Sequence, residues 1–232
     1  DVSSAIASHL LPTLSLAIFA QVLAVLVAIP AGVAAARKPG GVSDRLLMGA
    51  SLLGISVPSF LLGLFLALFF AVVLRWLPVA GYADPSEGFG KFVLYLVLPA
   101  IALAAMQAAL LARMTRSTMM DVLGTNYVTT ARAKGLASGV VLYKHAFRTA
   151  INPILTVVGQ SFGVLITGAV VIETVFNIPG IGQLIVLAIQ RRDFDLIQGV
   201  VLVATLIYLV LNLVVDLLYG VFDPRIRLRK AG

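Results

Sequence analysis

The chain has 232 residues, 60% of them hydrophobic and 12% charged, with a formal net charge of +7 and a mean hydropathy of +1.06. Soluble domains carry about 25% charged residues, so this composition excludes an ordinary water-soluble globule and points to an integral membrane protein with several spans. The chain contains no cysteine, which excludes a disulfide framework and any cysteine metal site; a nucleic-acid-binding face is excluded too, because the positive charge is spread over loops between apolar runs.

The first apolar run, Leu10 to Ala36, exceeds the roughly 20 residues needed to cross a bilayer. Pro12 lies near its start, where proline is tolerated, and Pro30 is predicted to kink it. Arg37 and Lys38 end it. Residues Asp1 to His9 lack a basic region before the apolar run, so they are not expected to be a signal peptide. The second run is Leu46 to Leu74, with Pro58 inside it; Arg75-Trp76-Leu77-Pro78 and Tyr82 follow, and the aromatic residues suit a membrane interface. The third run is Phe92 to Ala112, closed by Arg113 and Arg116. The fourth is Ile151 to Ile172, and the fifth is Leu196 to Val221, ending at Asp223-Pro224-Arg225. An all-α, polytopic transmembrane bundle of at least five spans is the expected fold.

Lys and Arg residues are distributed unevenly over the loops. Thirteen fall in one alternating set, around Arg37, Arg132 and Arg225, and four fall in the other, namely Arg75, Lys91, Arg191 and Arg192. The positive-inside rule then places the C-terminus and the loop before the fourth run in the cytoplasm, and Asp1 outside.

That loop, Tyr127 to Pro153, is the longest interruption of the apolar pattern. Thr125 and Asn126 can cap a helix N-terminus. Tyr127 to Lys134 reads as about two helical turns, and Gly135 can take the left-handed conformation that ends them. Arg132 and Lys134 then sit at the negative end of the helix dipole. A second helical stretch, Ser138 to Phe147, leads into Asn152-Pro153.

The stretch Glu173 to Asp195 contains a Pro179-Gly180 turn and then Gln183 to Gln190, an apolar helical piece too short to span. This piece either dips into the outer membrane face, lies over a pore as a gate, or is an amphipathic surface helix. Gly159 and Gly163, with Gly168 beyond, mark close helix packing, within the chain or against a partner. Polar residues inside spans need partners or water. Gln107, Gln160, Ser161, Asn212 and Asp216 are the candidates. For Gln160 and Ser161 pore lining and interhelical bonding both fit; Asn212 and Asp216 share a helix face and read better as a structural pair than as pore lining.

No phosphate-binding G-x-x-x-x-G-K-[ST] and no H-E-x-x-H occurs. His9 and His145 are expected on opposite sides of the membrane, so no metal site is expected, and neither is a catalytic site.

The pattern Tyr127-Val128-x-Thr130-Ala131-Arg132-Ala133-Lys134-Gly135-Leu136, followed by Val140, His145, Arg148, Ala150 and Pro153, resembles the cytoplasmic coupling loop of ABC-importer permeases, in the subclass that imports peptides and nickel. It differs from the general motif in having Thr129-Thr130-Ala131 for Glu-Ala-Ala, and from the subclass in having Thr149 for Asn. Supporting segments are Pro58-Ser59-Phe60 with Gly63, Trp76-Leu77-Pro78 with Gly81-Tyr82, Glu173-Thr174-Val175-Phe176 with Pro179-Gly180-x-Gly182, and Asp223-Pro224-Arg225. The resemblance implies one permease domain over residues 1–232 of the importer type I fold, with a coupling loop at about 113–150 and an external gate segment at about 173–195. Family members begin with an extra N-terminal helix, which is expected to be absent here.

The resemblance also implies residue roles. Tyr127, Thr130, Ala131, Arg132, Ala133, Lys134, Gly135, Leu136, His145 and Arg148 would dock on an ATPase, with Ala131 and Ala133 buried at the contact. Glu173, Phe176, Pro179, Gly180 and Gly182 would form the external gate under a binding protein. Implied partners are a second permease subunit, two ABC ATPase subunits carrying ATP and Mg, an extracytoplasmic substrate-binding protein and the lipid bilayer of a bacterial inner membrane. Peptides are the first-choice cargo, with nickel chelates and glutathione as alternatives. A structural membrane protein or membrane enzyme with a lipid-binding basic loop is the reading from a different class; it would not require Ala131, Ala133 and Gly135 at helix-packing spacing.

Overall fold

The structure, a computed structural model, describes residues 2–222, and their side chains except those of residues 211, 212, 215, 216 and 218–222. Helix α1 covers Val2–Arg37 and stays helical through Pro30. It starts well before the apolar run because Ser, Ala and His of the first turns are compatible with a helix. Ala17, Ala20, Ala24 and Ala28 are fully buried along it, a three-or-four-residue spacing that puts a flat stripe on one face.

The expected second span is broken. Helix α2, Val42–Ser56, and helix α3, Ser59–Val73, are separated by a break at Val57 and Pro58. Proline excludes the preceding residue from the helical region and supplies no N–H, and Pro58 itself is extended, with ψ 138°. The second half of α3, Ala67–Val73, is π-helical. A single turn of 3-10 helix, Pro85–Glu87, is capped by Asp84. Helix α4, Phe89–Leu123, outlasts the apolar run, because Leu111, Ala112, Thr115 and Met119 continue a buried face at helical spacing.

Helix α5 is Asn126–Ala133. Helix α6 runs unbroken from Ser138 to Phe176 over 39 residues. The separate helix expected over Ser138 to Phe147 is instead its first part, and its Val141–Phe147 segment is π-helical. Pro153 lies inside α6; spanning helices tolerate proline where local adjustment re-satisfies the backbone. Helix α7 is Ile181–Arg191 and helix α8 is Phe194–Phe222.

Among the described residues α1, α4 and α6 are long and apolar enough to cross a membrane, and the broken α2–α3 pair makes a fourth if taken as one span. The fifth expected span falls in α8, whose fully described apolar part, Phe194–Val210, is shorter than a span, so the described residues show three or four spans and not the five expected.

The chain forms two compact units. The first contains residues 2–23, 57–107 and 161–212. In it Phe176 is 1% exposed, and its ring fits where Gly63 has no side chain: a Cβ there would stand 2.9 Å from Phe176 Cε2. Gly163 is likewise closed over by Tyr208, with a hypothetical Cβ 2.7 Å from its ring, and Gly168 by Leu103 at 3.0 Å. These glycines therefore serve packing within the chain. The second unit contains residues 24–56 and 108–160. Its core joins Ala28, Val33 and Ala36 of α1 to Leu111, Ala112 and Met119 of α4 and Leu142, Ala146, Ala150 and Ile154 of α6. Asp44 at the start of α2 makes a two-pronged ion pair with Arg116 of α4, one arm at 2.7 Å, and also accepts the Gly40 N–H at 2.8 Å.

Candidate functional site

Two places carry the residues singled out by sequence. The first is α5 and its surroundings. Thr125 occupies the N-cap position with an extended backbone, but its side chain does not cap the helix. Its hydroxyl donates back to Val122 O at 2.7 Å, which corrects the expected cap; Asn126 is already the first helical residue. The C-terminal end behaves as expected. Gly135 has φ +78°, its N–H bonds Arg132 O at 2.9 Å, and Leu136 N–H reaches Ala131 O at 3.4 Å. This pair of bonds is the Schellman closure, which requires a left-handed residue.

One face of α5 is held down by the chain itself. Val128 is 0% exposed and Ala131 7% exposed, packed with Val141 of α6 and with Val122 and Leu123 of α4. Ala131 therefore faces its own chain, whereas Ala133 is exposed. The expectation that both are buried at one contact is corrected: two residues apart on a helix point about 200° apart. The outward face consists of Tyr127, Thr130, Ala133, Lys134 and Leu136, with Arg132 at its edge. Tyr127 is 54% exposed, yet it is oriented: its hydroxyl and His145 Nδ1 share a hydrogen bond at 2.6 Å, and the two rings meet edge-on at 5.6 Å. His145 thus positions Tyr127 from the next helix. Arg148 is exposed a turn further on. A cavity of about 200 Å³ beside α5 is lined by Arg37, Leu123, Arg132, Ser138, Val141 and Leu142.

The second place is the turn between α6 and α7. Glu173 is charged by type yet fully buried. Its Oε1 accepts the Thr13 hydroxyl at 2.6 Å, and its Oε2 accepts the Gln183 backbone N–H at 3.0 Å. Thr13 Oγ1 in turn accepts the Ile181 N–H at 2.8 Å. The N-cap residue of α7 is Gly180, which has no side chain to offer. Two side chains from other helices therefore satisfy donors that the first turn leaves orphaned. The two glycines make room for this. A Cβ at Gly180 would stand 2.3 Å from Glu173 Cδ, and one at Gly182 would stand 2.4 Å from Val170 Cα. Asn177 adopts φ +50° and accepts the Gln183 side-chain N–H at 2.8 Å. Phe176 O accepts the Gly81 N–H at 2.7 Å, and Pro179 is exposed.

The polar candidates separate. Gln107 is buried and Gln160 exposed. Ser161 is 3% exposed and donates to Gln21 Oε1 of α1 at 3.0 Å, so it bonds between helices. Asn212 and Asp216 lie outside the residues whose side chains are described. Among the described residues no cluster of His, Asp and Glu could hold a metal ion. Sequence reading missed Thr13, Gln21, Asp44 and Asn177. Thr13 and Gln21 carry no local signal, since their partners are 160 and 140 residues away.

The family described as the binding-protein-dependent transport system inner membrane component matches residues 28–228. Over 222 residues the chain is 45% identical to a probable peptide ABC transporter permease protein, y4tP, of Sinorhizobium fredii, covering 96% of this chain and 71% of that one. It is 46% identical to the di/tripeptide transport system permease protein DppB of Pseudomonas aeruginosa, covering 93% of this chain and 70% of that one. With the dipeptide transport system permease protein DppB of Escherichia coli the identity is 43%, covering 94% and 71%. Among solved structures, an inward-facing form of the MetNI methionine ABC transporter superposes with a TM-score of 0.74 at 15% identity, covering 94% of this chain and 96% of that one; at that identity the likeness concerns the fold. The chain belongs to the family of binding-protein-dependent transport system inner membrane components, the permease subunits of ABC transporters.

Proposed function

We propose that this chain is one of two permease subunits of an ATP-driven importer of di- and oligopeptides. Identity of 43–46% to permeases named for peptides, along nearly the whole chain, carries this reading. The chain forms half of the translocation pathway, beside a second, homologous permease. Helix α5 is the coupling element: its Val128 and Ala131 face anchors it, and Tyr127, Thr130, Ala133 and Leu136 are left for a cleft on an ATPase. Two such ATPases bind ATP and Mg and drive alternating access, so this chain is itself non-catalytic. A substrate-binding protein delivers cargo to the external segment around α7. The loop charge asymmetry supports a bacterial inner-membrane location with a cytoplasmic C-terminus.

The test is reconstitution with the second permease, the ATPases and the binding protein in proteoliposomes. Uptake of a labelled dipeptide should depend on ATP and on the binding protein. Uptake of nickel chelates or glutathione in preference to peptides would reassign the cargo. An assembled complex that moves none of these, while the purified chain binds anionic vesicles, would favour a lipid-binding role for the loop.

A further inference from the structure

We propose that Glu173 and Thr13 form a buried latch that makes α7 one rigid piece with the end of α6 and the N-terminal part of α1, so that the external segment moves as a body and does not swing open on the Asn177–Gly180 turn. The purpose of the motion rests on the importer reading above; the latch itself rests on the geometry.

Glu173 is 0% exposed, and among the described residues no Lys or Arg pairs with it. Its carboxyl oxygens are met by donors alone: the Thr13 hydroxyl and the first turn of α7. Helix N-termini are favourable places for anions because several N–H groups converge there. Swinging α7 away would break the bonds from the Ile181 N–H to Thr13 Oγ1 and from the Gln183 N–H to Glu173 Oε2, leaving two backbone donors and one buried carboxyl oxygen without partners, which is disfavoured. Steric fit adds to this, since Gly180 and Gly182 sit against Glu173 and Val170 too closely for even one added methyl group.

The far end of α7 is closed as well. Arg192 takes φ 56°, the Arg192 and Asp193 N–H groups return to Ile189 O and Ala188 O at 3.1 and 3.0 Å, and Asp193 Oδ1 accepts the Leu196 N–H at 3.1 Å at the start of α8. Beneath the helix, Ile181 and Leu184 join Ile6 of α1 and Val200 of α8 in a buried cluster. A flap needs a free hinge at one end, and α7 has none, although a cavity of about 330 Å³ opens beside its first turns, lined by Thr13, Val170, Ile181, Gly182, Ile185 and Tyr208.

The chain has no native cysteine, so Asn177→Cys with Gln183→Cys can be cross-linked cleanly. These side chains already touch across the turn. In the complete reconstituted transporter, a short bifunctional maleimide should leave dipeptide uptake within about twofold of the untreated sample. At least tenfold loss on cross-linking, in a double variant that transports beforehand, overturns the latch. If the untreated variant and the wild-type complex both fail to move peptide, the functional reading fails instead. Hydrogen exchange then decides the latch without transport. Glu173→Ala should speed exchange in the first turn of α7 at least tenfold, Glu173→Gln less, with α4 unchanged. Thr13→Val, the milder variant should Glu173→Ala fail to assemble, should speed exchange at Ile181. Unchanged exchange in these variants overturns the proposal.

Discussion

Helix α5 and the turn leading into α7 are both short, both follow a long helix, and both depend on a glycine, yet they are built to opposite ends. At the start of α7 the buried polar groups are answered from within the chain: Glu173 by Thr13 and Gln183, and Ile181 by Thr13. At α5 the inner face is packed on Val141, Val122 and Leu123, while the outer face holds Tyr127, bonded only at its rim by His145, and Leu136, at 54% and 40% exposure. A region whose hydrogen bonds close internally gains rigidity and loses adaptability. A region with a fixed inner face and an open outer one keeps that outer face accessible, as the proposed coupling role requires. The glycines show the same division. Gly180 and Gly182 are required by proximity, with neighbours under 3 Å from a hypothetical Cβ, whereas Gly135 has nothing within 4 Å and is required by its positive φ.

The largest expected effect is at Gly182. Gly182→Leu drives a side chain into the Val170 backbone; overpacking typically costs about 1–3 kcal/mol, and a backbone neighbour that cannot rotate aside puts this case at the upper end. Peptide uptake should fall more than tenfold while the ATPases still co-purify, because α5 is untouched. Near-normal uptake in this variant and in Gly180→Leu would show that the tight fit is dispensable.

Next comes the anchor of α5. Val128→Asp places a carboxylate in an apolar cluster, at a cost above that of burying an unpaired neutral polar group, about 1–3 kcal/mol. The helix should lift and the ATPases should dissociate during purification. Retention of stoichiometric ATPases would mean that the inner face does not set the position of the outer one.

Gly135→Leu follows. A left-handed residue with a side chain costs about 1–2 kcal/mol, so the Schellman closure should loosen and substrate-stimulated ATP hydrolysis should uncouple from uptake. Wild-type uptake with normally bound ATPases would remove α5 from the coupling role. Arg132→Glu should do less, since exposed charges tune encounter more than affinity; a weaker salt dependence of ATPase binding would be its signature. The smallest effect is expected from single cysteines at Ser138 and Ser86, both exposed. They should leave uptake unchanged while Ser138→Cys reacts only from the cytoplasm and Ser86→Cys only from outside. Reversed labelling would overturn the orientation and place α5 and α7 on each other's side.

Some of this was legible in the residue order. Apolar runs longer than a bilayer declare spanning helices because the backbone must satisfy itself in lipid. The stop at Gly135 is a local consequence of which dihedrals a residue allows and stands where expected; before α7 the left-handed residue is Asn177, while Gly180 has φ −104° and is required by the closeness of Glu173. The helix boundaries were less legible, since α4 and α6 extend beyond their apolar runs on faces that only packing makes continuous.

What tertiary structure alone decided are the pairings. Asp44 with Arg116 is a contact over 72 positions and Thr13 with Glu173 over 160, and no periodicity or turn rule links residues so far apart. Composition could say that Glu173 needs a partner in an apolar setting; only the fold could supply one hydroxyl from α1 and one helix start from α7. The same holds for Ala131 and Ala133, identical side chains two residues apart, of which one is buried by α4 and α6 and the other is exposed.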